Sequence, residues 1–110
     1  MKNKLCYSPE AIQDLDEIWD YIMLEFCNPN AAEKIVNSIM NTIGKLEDFP
    51  EMGTSLSSVS DVESDYRFVT YGNYMAFYRH MNKDIFIDRI LYGKRDYLRV
   101  LFDNPPDKIE

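Results

Sequence analysis

At 110 residues, with 45% hydrophobic and 14% aromatic content, the chain is long enough for one cored domain and too apolar for a disordered one. Its 12 basic and 19 acidic residues leave a net charge of −7, which weighs against a protein that binds nucleic acid over its whole surface. A single histidine argues against a His-based metal site, two cysteines without motif spacing read as reduced thiols, and no apolar run approaches the ~20 residues of a membrane helix.

The polar sequence that follows Met1–Leu5 does not read as a signal peptide, so a cytoplasmic protein without metal or cofactor is expected. Leu5, Cys6 and Tyr7 form a short apolar run, a strand over Lys4–Tyr7. Ser8-Pro9-Glu10 then opens a helix, with Ser as N-cap, Pro at the first helical position and an acid in the first turn. Apolar residues recur at Ile12, Leu15, Trp19, Ile22, Met23 and Phe26. That stripe is the expected buried face, with Trp19 as a core anchor. Gln13, Asp14, Asp16, Glu17 and Asp20 fill the expected solvent face, and solvation accounts for these acids better than a catalytic carboxylate pair does.

Cys27-Asn28-Pro29-Asn30 breaks the pattern, and either Asn28 or Asn30 can cap a second helix. Its stripe is Ala32, Ile35, Val36, Ile39, Met40, Ile43 and Leu46, ending before Phe49-Pro50. So short a connection predicts an antiparallel helical hairpin. Residues 51–65 are Ser-rich and lack periodicity. They read as a mobile connection, with Leu56 and Val59 touching the core.

Three β-rich runs follow: Tyr66–Tyr71, Tyr74–His80 and Ile85–Tyr92. Gly72-Asn73 marks a tight hairpin turn between the first two, and Asn82-Lys83-Asp84 a polar turn between the last two. Arg95–Phe102 is a candidate terminal helix. The predicted fold is a two-layer α+β domain over residues 1–102, in the order β-α-α-β-β-β, with a flexible tail over 103–110. Each helix must bury its stripe on one face of the antiparallel meander; the other face is open or partly covered by the C-terminal segment.

Charge is segregated along this order. Residues 66–99 hold seven basic and three acidic residues, a net +4, whereas residues 1–65 carry four lysines and thirteen acids, a net −9. Function is therefore sought among the arginines of the meander.

Several fragments, taken in order, resemble the RelE/ParE superfamily of toxins from type II toxin–antitoxin modules, also known as plasmid stabilisation proteins. They are the A-x-x-D-L-x-E-I-W-x-Y-I helix at Ala11–Ile22, A-A-x-K-I-V-x-x-I at Ala31–Ile39, and F-P-x-M-G at Phe49–Gly53. The hairpin pattern at Tyr66, Arg67, Asn73, Tyr74, Phe77, Tyr78 and Arg79, and I-x-R-I-L-x-G-x-R-D-Y at Ile87–Tyr97, complete the set. The resemblance implies a toxin neutralised by a cognate antitoxin, with which it would form a hetero-oligomer. ParE-like members poison DNA gyrase; RelE-like members cut mRNA on the ribosome. The Trp-bearing first helix and the G-x-R-D ending are more ParE-like.

RNA cleavage by 2′-hydroxyl attack needs a base, cations on the phosphate and a proton donor. Under that alternative the catalytic set implied here is Arg67, Arg95, Tyr97 and His80. Val69, however, stands where the RelE-like pattern has a second strand lysine, and Met75 where it has an arginine. The late tyrosine position aligns near Leu101, with Tyr97 and Phe102 close by. Under either mechanism Arg67, Arg79, Arg89 and Arg95 are the expected contacts for target or antitoxin; their ordinary role would be pairing with acids such as Asp88 and Asp96. A third reading is an inactive member that only binds a partner. In all three, an exposed apolar patch on the sheet or the helix hairpin is expected, since partners dock as a helix laid in a groove or a strand added to an edge.

Overall fold

The computed structural model describes residues 3–58, 64–93 and 101. Strand β1 (Lys4–Tyr7) leads into helix α1 (Pro9–Phe26), and helix α2 (Pro29–Gly44) returns and tightens into a 3-10 turn over Lys45–Glu47. A two-residue strand β2 (Thr54–Ser55) precedes β3 (Arg67–Tyr71), β4 (Tyr74–Met81) and β5 (Asp84–Tyr92). The sheet order is β1-β5-β4-β3-β2. β1 runs parallel to β5 and every other pairing is antiparallel. The predicted α+β fold is observed, with the meander widened at both edges.

Local signals set the element ends. The Ser8 hydroxyl accepts the Ala11 N–H at 2.9 Å and donates to the Asp88 carbonyl at 2.8 Å, so one side chain caps α1 and ties it to β5. Of the two candidate caps for α2, Asn28 is the one used: its side-chain oxygen accepts from the N–H groups of Asn30 and Ala31. Gly72 adopts φ +59° in the β3–β4 turn, a conformation that costs a side-chain-bearing residue energy.

α1 buries a different stripe from the expected one. Ala11, Leu15, Ile18 and Ile22 face the core, while Ile12 and Phe26 are exposed and Trp19 keeps 37% of its surface in water. Trp19 is therefore not a core anchor. The helix is apolar on two faces, so periodicity alone admits two phases, and the one that buries the smaller Ala11 wins because it lets helix and sheet approach. In α2, Ala32, Ile39 and Ile43 are buried and Leu46 follows them, but Met40 is exposed. These side chains pack with Val69, Ala76, Tyr78, Ile85, Ile87 and Ile90 as the main core between helices and sheet. On the opposite sheet face Leu56, Phe77 and Leu91 form a smaller cluster, against which Leu101 packs.

The segment read as a mobile connection is partly structured. β2 pairs with Arg67 and Phe68, and Leu56 is fully buried. Two small polar residues in a strand leave no hydrophobic period to read. Val59, the terminal helix over 95–102 apart from Leu101, and the tail over 103–110 lie outside the described residues.

A β-bulge sets the fit between layers. Tyr78 pairs with Ile87 and Phe77 with Arg89, so Asp88 is the extra residue. The alternation of faces is broken there, and the consecutive residues Arg89 and Ile90 both serve the helix side. Arg89 donates two hydrogen bonds of 2.8 Å to Asp14 of α1, and the Ile90 N–H donates to the same carboxylate at 2.9 Å. Asp14, expected on the solvent face, is thus a buried acid that joins the two layers. Its hydrogen bonds raise the Arg89 pKa.

Asp14→Ala leaves a guanidinium and a buried N–H without their acceptor. A loss of roughly 3 kcal/mol is expected in urea unfolding, the low end for a broken buried pair because Arg89 stays partly hydrated. A double-mutant cycle with Arg89→Ala should return a coupling well above the ~1 kcal/mol ceiling of exposed pairs; additive losses would contradict the clamp.

Candidate functional site

The meander presents its arginines at three separate places. Arg67, on the helix face of β3, donates to the Gly53 carbonyl at 2.8 Å and pairs with Glu51 at 3.1 Å. Arg79, on the opposite face, pairs with Asp88 at 3.1 Å and lies 5.5 Å from the centre of the Tyr66 ring. Arg89 is held by Asp14. The pairing expected with Asp88 is found; Arg95, Tyr97 and Asp96 lie outside the described residues.

Two members of the implied catalytic set do meet. His80 Nδ1 sits 3.3 Å from Glu51, the carboxylate that also receives Arg67. His80 Nε2 is enclosed and has no hydrogen-bond partner among the described residues. The loop that brings Glu51 here is fixed by Tyr78, whose buried hydroxyl donates to the Pro50 carbonyl at 2.8 Å and accepts the Gly53 N–H at 3.0 Å. Burial raises the Tyr78 pKa against the opposing effects of Gly53 and Arg67. A Cβ at Gly53 would lie 2.6 Å from that hydroxyl and 2.7 Å from the Phe68 carbonyl. The F-P-x-M-G pattern therefore marks a close backbone approach on which the placement of Glu51 depends.

On the outer face the Tyr66 hydroxyl donates to Asp88 at 2.7 Å. Burial, with the Asp88 hydrogen bond next, raises its pKa to about 12.

The second feature is a cleft of about 760 Å³ where α1 faces the β3–β4 turn and the end of β5. Its walls carry Tyr21 and Phe26 from α1, Tyr71 and Tyr74 at the turn, and Tyr92 of β5. The Asp14–Arg89 pair lines it as well. Tyr74 and Tyr92 meet edge to face at 5.6 Å, and Asn73 donates to the Tyr92 hydroxyl at 3.4 Å. Burial raises the Tyr74 pKa, with Tyr21 and Tyr92 adding to it. The cleft is lined mainly by apolar and aromatic side chains, and none of Arg67, Glu51 and His80 is among them. Sequence reading missed Asp14, Glu51, Tyr78 and these cleft aromatics. The available signals were the Gly53 motif and tyrosines placed at strand ends.

Residues 5–97 match the family model of the ParE toxin of the type II toxin–antitoxin system. The chain belongs to this family. It is similar to a solved chromosomal ParDE toxin–antitoxin system from P. aeruginosa, with a TM-score of 0.70 and 27% identity, covering 83% of this chain and 96% of the other. The RelBE2 toxin–antitoxin complex from Mycobacterium tuberculosis shares the fold at a TM-score of 0.60 and 16% identity, covering 84% and 99%. No curated protein matches the sequence significantly. Among the described residues of this ParE-family chain, no helix is long and apolar enough to cross a membrane.

Two outcomes test the site's geometry. Tyr78→Phe leaves the buried Gly53 N–H unsatisfied and should cost ~1–3 kcal/mol, with Gly53→Ala comparable through overpacking. Unchanged denaturation midpoints would contradict the loop anchor. In a tyrosinate absorbance titration, Tyr66→Phe should remove a component near pH 12. Between pH 10 and about 12 the folded chain keeps a proton that the unfolded chain has lost, so Tyr66 should make stability fall as pH rises across that window.

Proposed function

We propose that this ParE-family toxin inhibits growth in the cytoplasm by acting on DNA gyrase, and that a cognate antitoxin neutralises it, as part of a plasmid-stabilising module. The observation that carries this reading is the dispersal of the meander's arginines onto Glu51, Asp88 and Asp14. A ribonuclease acting on a phosphodiester needs its cations converged on one phosphate. Val69 and Met75, where the ribonuclease pattern has basic residues, point the same way; Val69 is packed in the core. The similar ParDE system from P. aeruginosa supports an antitoxin partner.

One observation favours a second reading. Arg67 and His80 share Glu51, and an acid–base cluster of that kind, completed by Arg95 and Tyr97, is what ribosome-dependent mRNA cleavage would use.

Induction of the chain alone should depress thymidine incorporation before methionine incorporation. The purified chain should inhibit gyrase supercoiling, with co-expressed antitoxin restoring both. Methionine incorporation falling first, with unaffected supercoiling, would replace the gyrase reading with the ribonuclease one. Loss of neither would leave a chain that only binds its partner.

A further inference from the structure

Arg67 is held in a way that separates its position from its charge partner. Its Nη1 donates to the Gly53 carbonyl at 2.8 Å and, more loosely, to the Glu51 carbonyl at 3.4 Å. Both acceptors are backbone atoms of the loop that Tyr78 anchors at Pro50 and Gly53. Nη2 meets the Glu51 carboxylate, 3.1 Å from Oε1. The other carboxylate oxygen, Oε2, lies 3.3 Å from His80 Nδ1. His80 Nε2 is enclosed without a partner, so a proton there would be a stranded donor. The neutral imidazole therefore keeps its proton on Nδ1, facing the carboxylate. The result is a fork of two donors, one from β3 and one from β4, with a planar oxyanion across it.

That oxyanion is the chain's own, and it is the least tethered part of the site. The Glu51 side chain keeps 65% of its surface in water, against 32% for Arg67 and 21% for His80. An exposed pair of this kind contributes little, so the side chain can swing out at small cost. The guanidinium would stay where the loop carbonyls hold it. The same loop displays exposed Phe49 and Met52, and the Met52 N–H donates to the Phe49 carbonyl at 3.1 Å, closing them into one turn around Glu51. An exposed aromatic beside an arginine, both on anchored backbone, has the composition of a protein-contact hot spot. A nucleic acid is a poorer occupant. The exposed Asp48 adjoins the loop, the imidazole is neutral, and one guanidinium does not offset a polyanion.

We propose that Glu51 occupies, in the free chain, the place of an acidic side chain of the target protein. On contact the target's carboxylate takes over Arg67 Nη2 and His80 Nδ1, Glu51 turns into solvent, and Phe49 and Met52 cover apolar surface of the target. For the target's identity this rests on the gyrase reading proposed above; the fork itself does not depend on it.

The probe is acetate, titrated at neutral pH and constant ionic strength into the isolated full chain and into Glu51→Gln. NMR follows the Arg67 Nε–H and His80 ring resonances, and unchanged amide resonances across the sheet verify folding of each variant. Acetate should saturate Glu51→Gln at one per chain and shift both groups. Wild type should bind it at least about tenfold more weakly, because its own carboxylate competes at high effective concentration. Adding Arg67→Gln to Glu51→Gln should abolish the response. No saturable response in Glu51→Gln, equal affinity in wild type, or binding that survives Arg67→Gln overturns the fork. Inorganic phosphate binding more tightly than acetate overturns the choice of a carboxylate. In gyrase supercoiling, Glu51→Gln should inhibit at about a third of the wild-type concentration, and Arg67→Gln should need roughly tenfold more than wild type. Inhibition by wild type with no gain in Glu51→Gln overturns the fork as the target contact. A wild type that does not inhibit overturns the gyrase reading, and the acetate titration still decides the fork.

Discussion

The Asp14 carboxylate is the constraint from which most of the architecture follows. It is buried, and it accepts the Arg89 guanidinium and the Ile90 N–H together. Those two groups reach one acceptor because the bulge at Asp88 breaks the strand's alternation. The same bulge leaves the Asp88 carbonyl to the Ser8 hydroxyl, so the start of α1 and its second turn are both tied to β5. With the helix fixed at two points, its rotation is set. Ala11, Leu15, Ile18 and Ile22 then turn inward, and Trp19 and Phe26 turn outward. Burying a charge pair gives little net stability compared with apolar packing, but it penalises every other helix rotation, since each would strand a charge.

The bulge also separates the two sides of the sheet chemically. Asp88 faces away from the helices, where Tyr66 and Arg79 share it. One position in β5 thus orders a polar cluster on the outer face while its neighbours complete the inner core. Arg67 reaches a third carboxylate, Glu51, through a loop that Tyr78 anchors. Arg67, Arg79 and Arg89, neighbours in a stretch of concentrated positive charge, are therefore spread in space. Two of these arginines reach acids contributed by the first 65 residues, so segregation in sequence becomes attraction between layers.

Much of this was legible in the chain. Ser8-Pro9 fixed the start of α1, Asn28 and Asn30 bracketed that of α2, Gly72-Asn73 fixed the hairpin, and the strand limits fell within a residue or two, because capping and turn chemistry are local. Three features were not legible. Asp14 sits in a run of helix acids, and only the register of β5, about 75 residues away, distinguishes it from them. α1 has two apolar faces, and which is buried depends on that same pairing. β2 consists of two small polar residues whose strand character comes wholly from pairing with Arg67 and Phe68. Among the candidate site residues, Arg67 and His80 do come together, at Glu51, whereas Arg79 and Arg89 are held apart by the two sides of the sheet.

That separation bears on how one fold can host different toxic mechanisms. The sheet supplies fixed positions, and chemistry depends on whether cations at those positions remain available to a phosphate. Here Arg79 and Arg89 are each held by a carboxylate at hydrogen-bond distance. Freeing either for a ligand would leave Asp88 or the buried Asp14 without its cation, and for Asp14 the loss would loosen α1 from β5. Arg67 differs, because its partner Glu51 is itself exposed and such a pair contributes little, so it can be exchanged for an incoming charge at small cost. Among the described arginines the fold thus sets a rank by the structural cost of using them, with Arg67 the most available and Arg89 the least. A protein target met through shape and apolar contact makes smaller demands on those cations than a phosphodiester does.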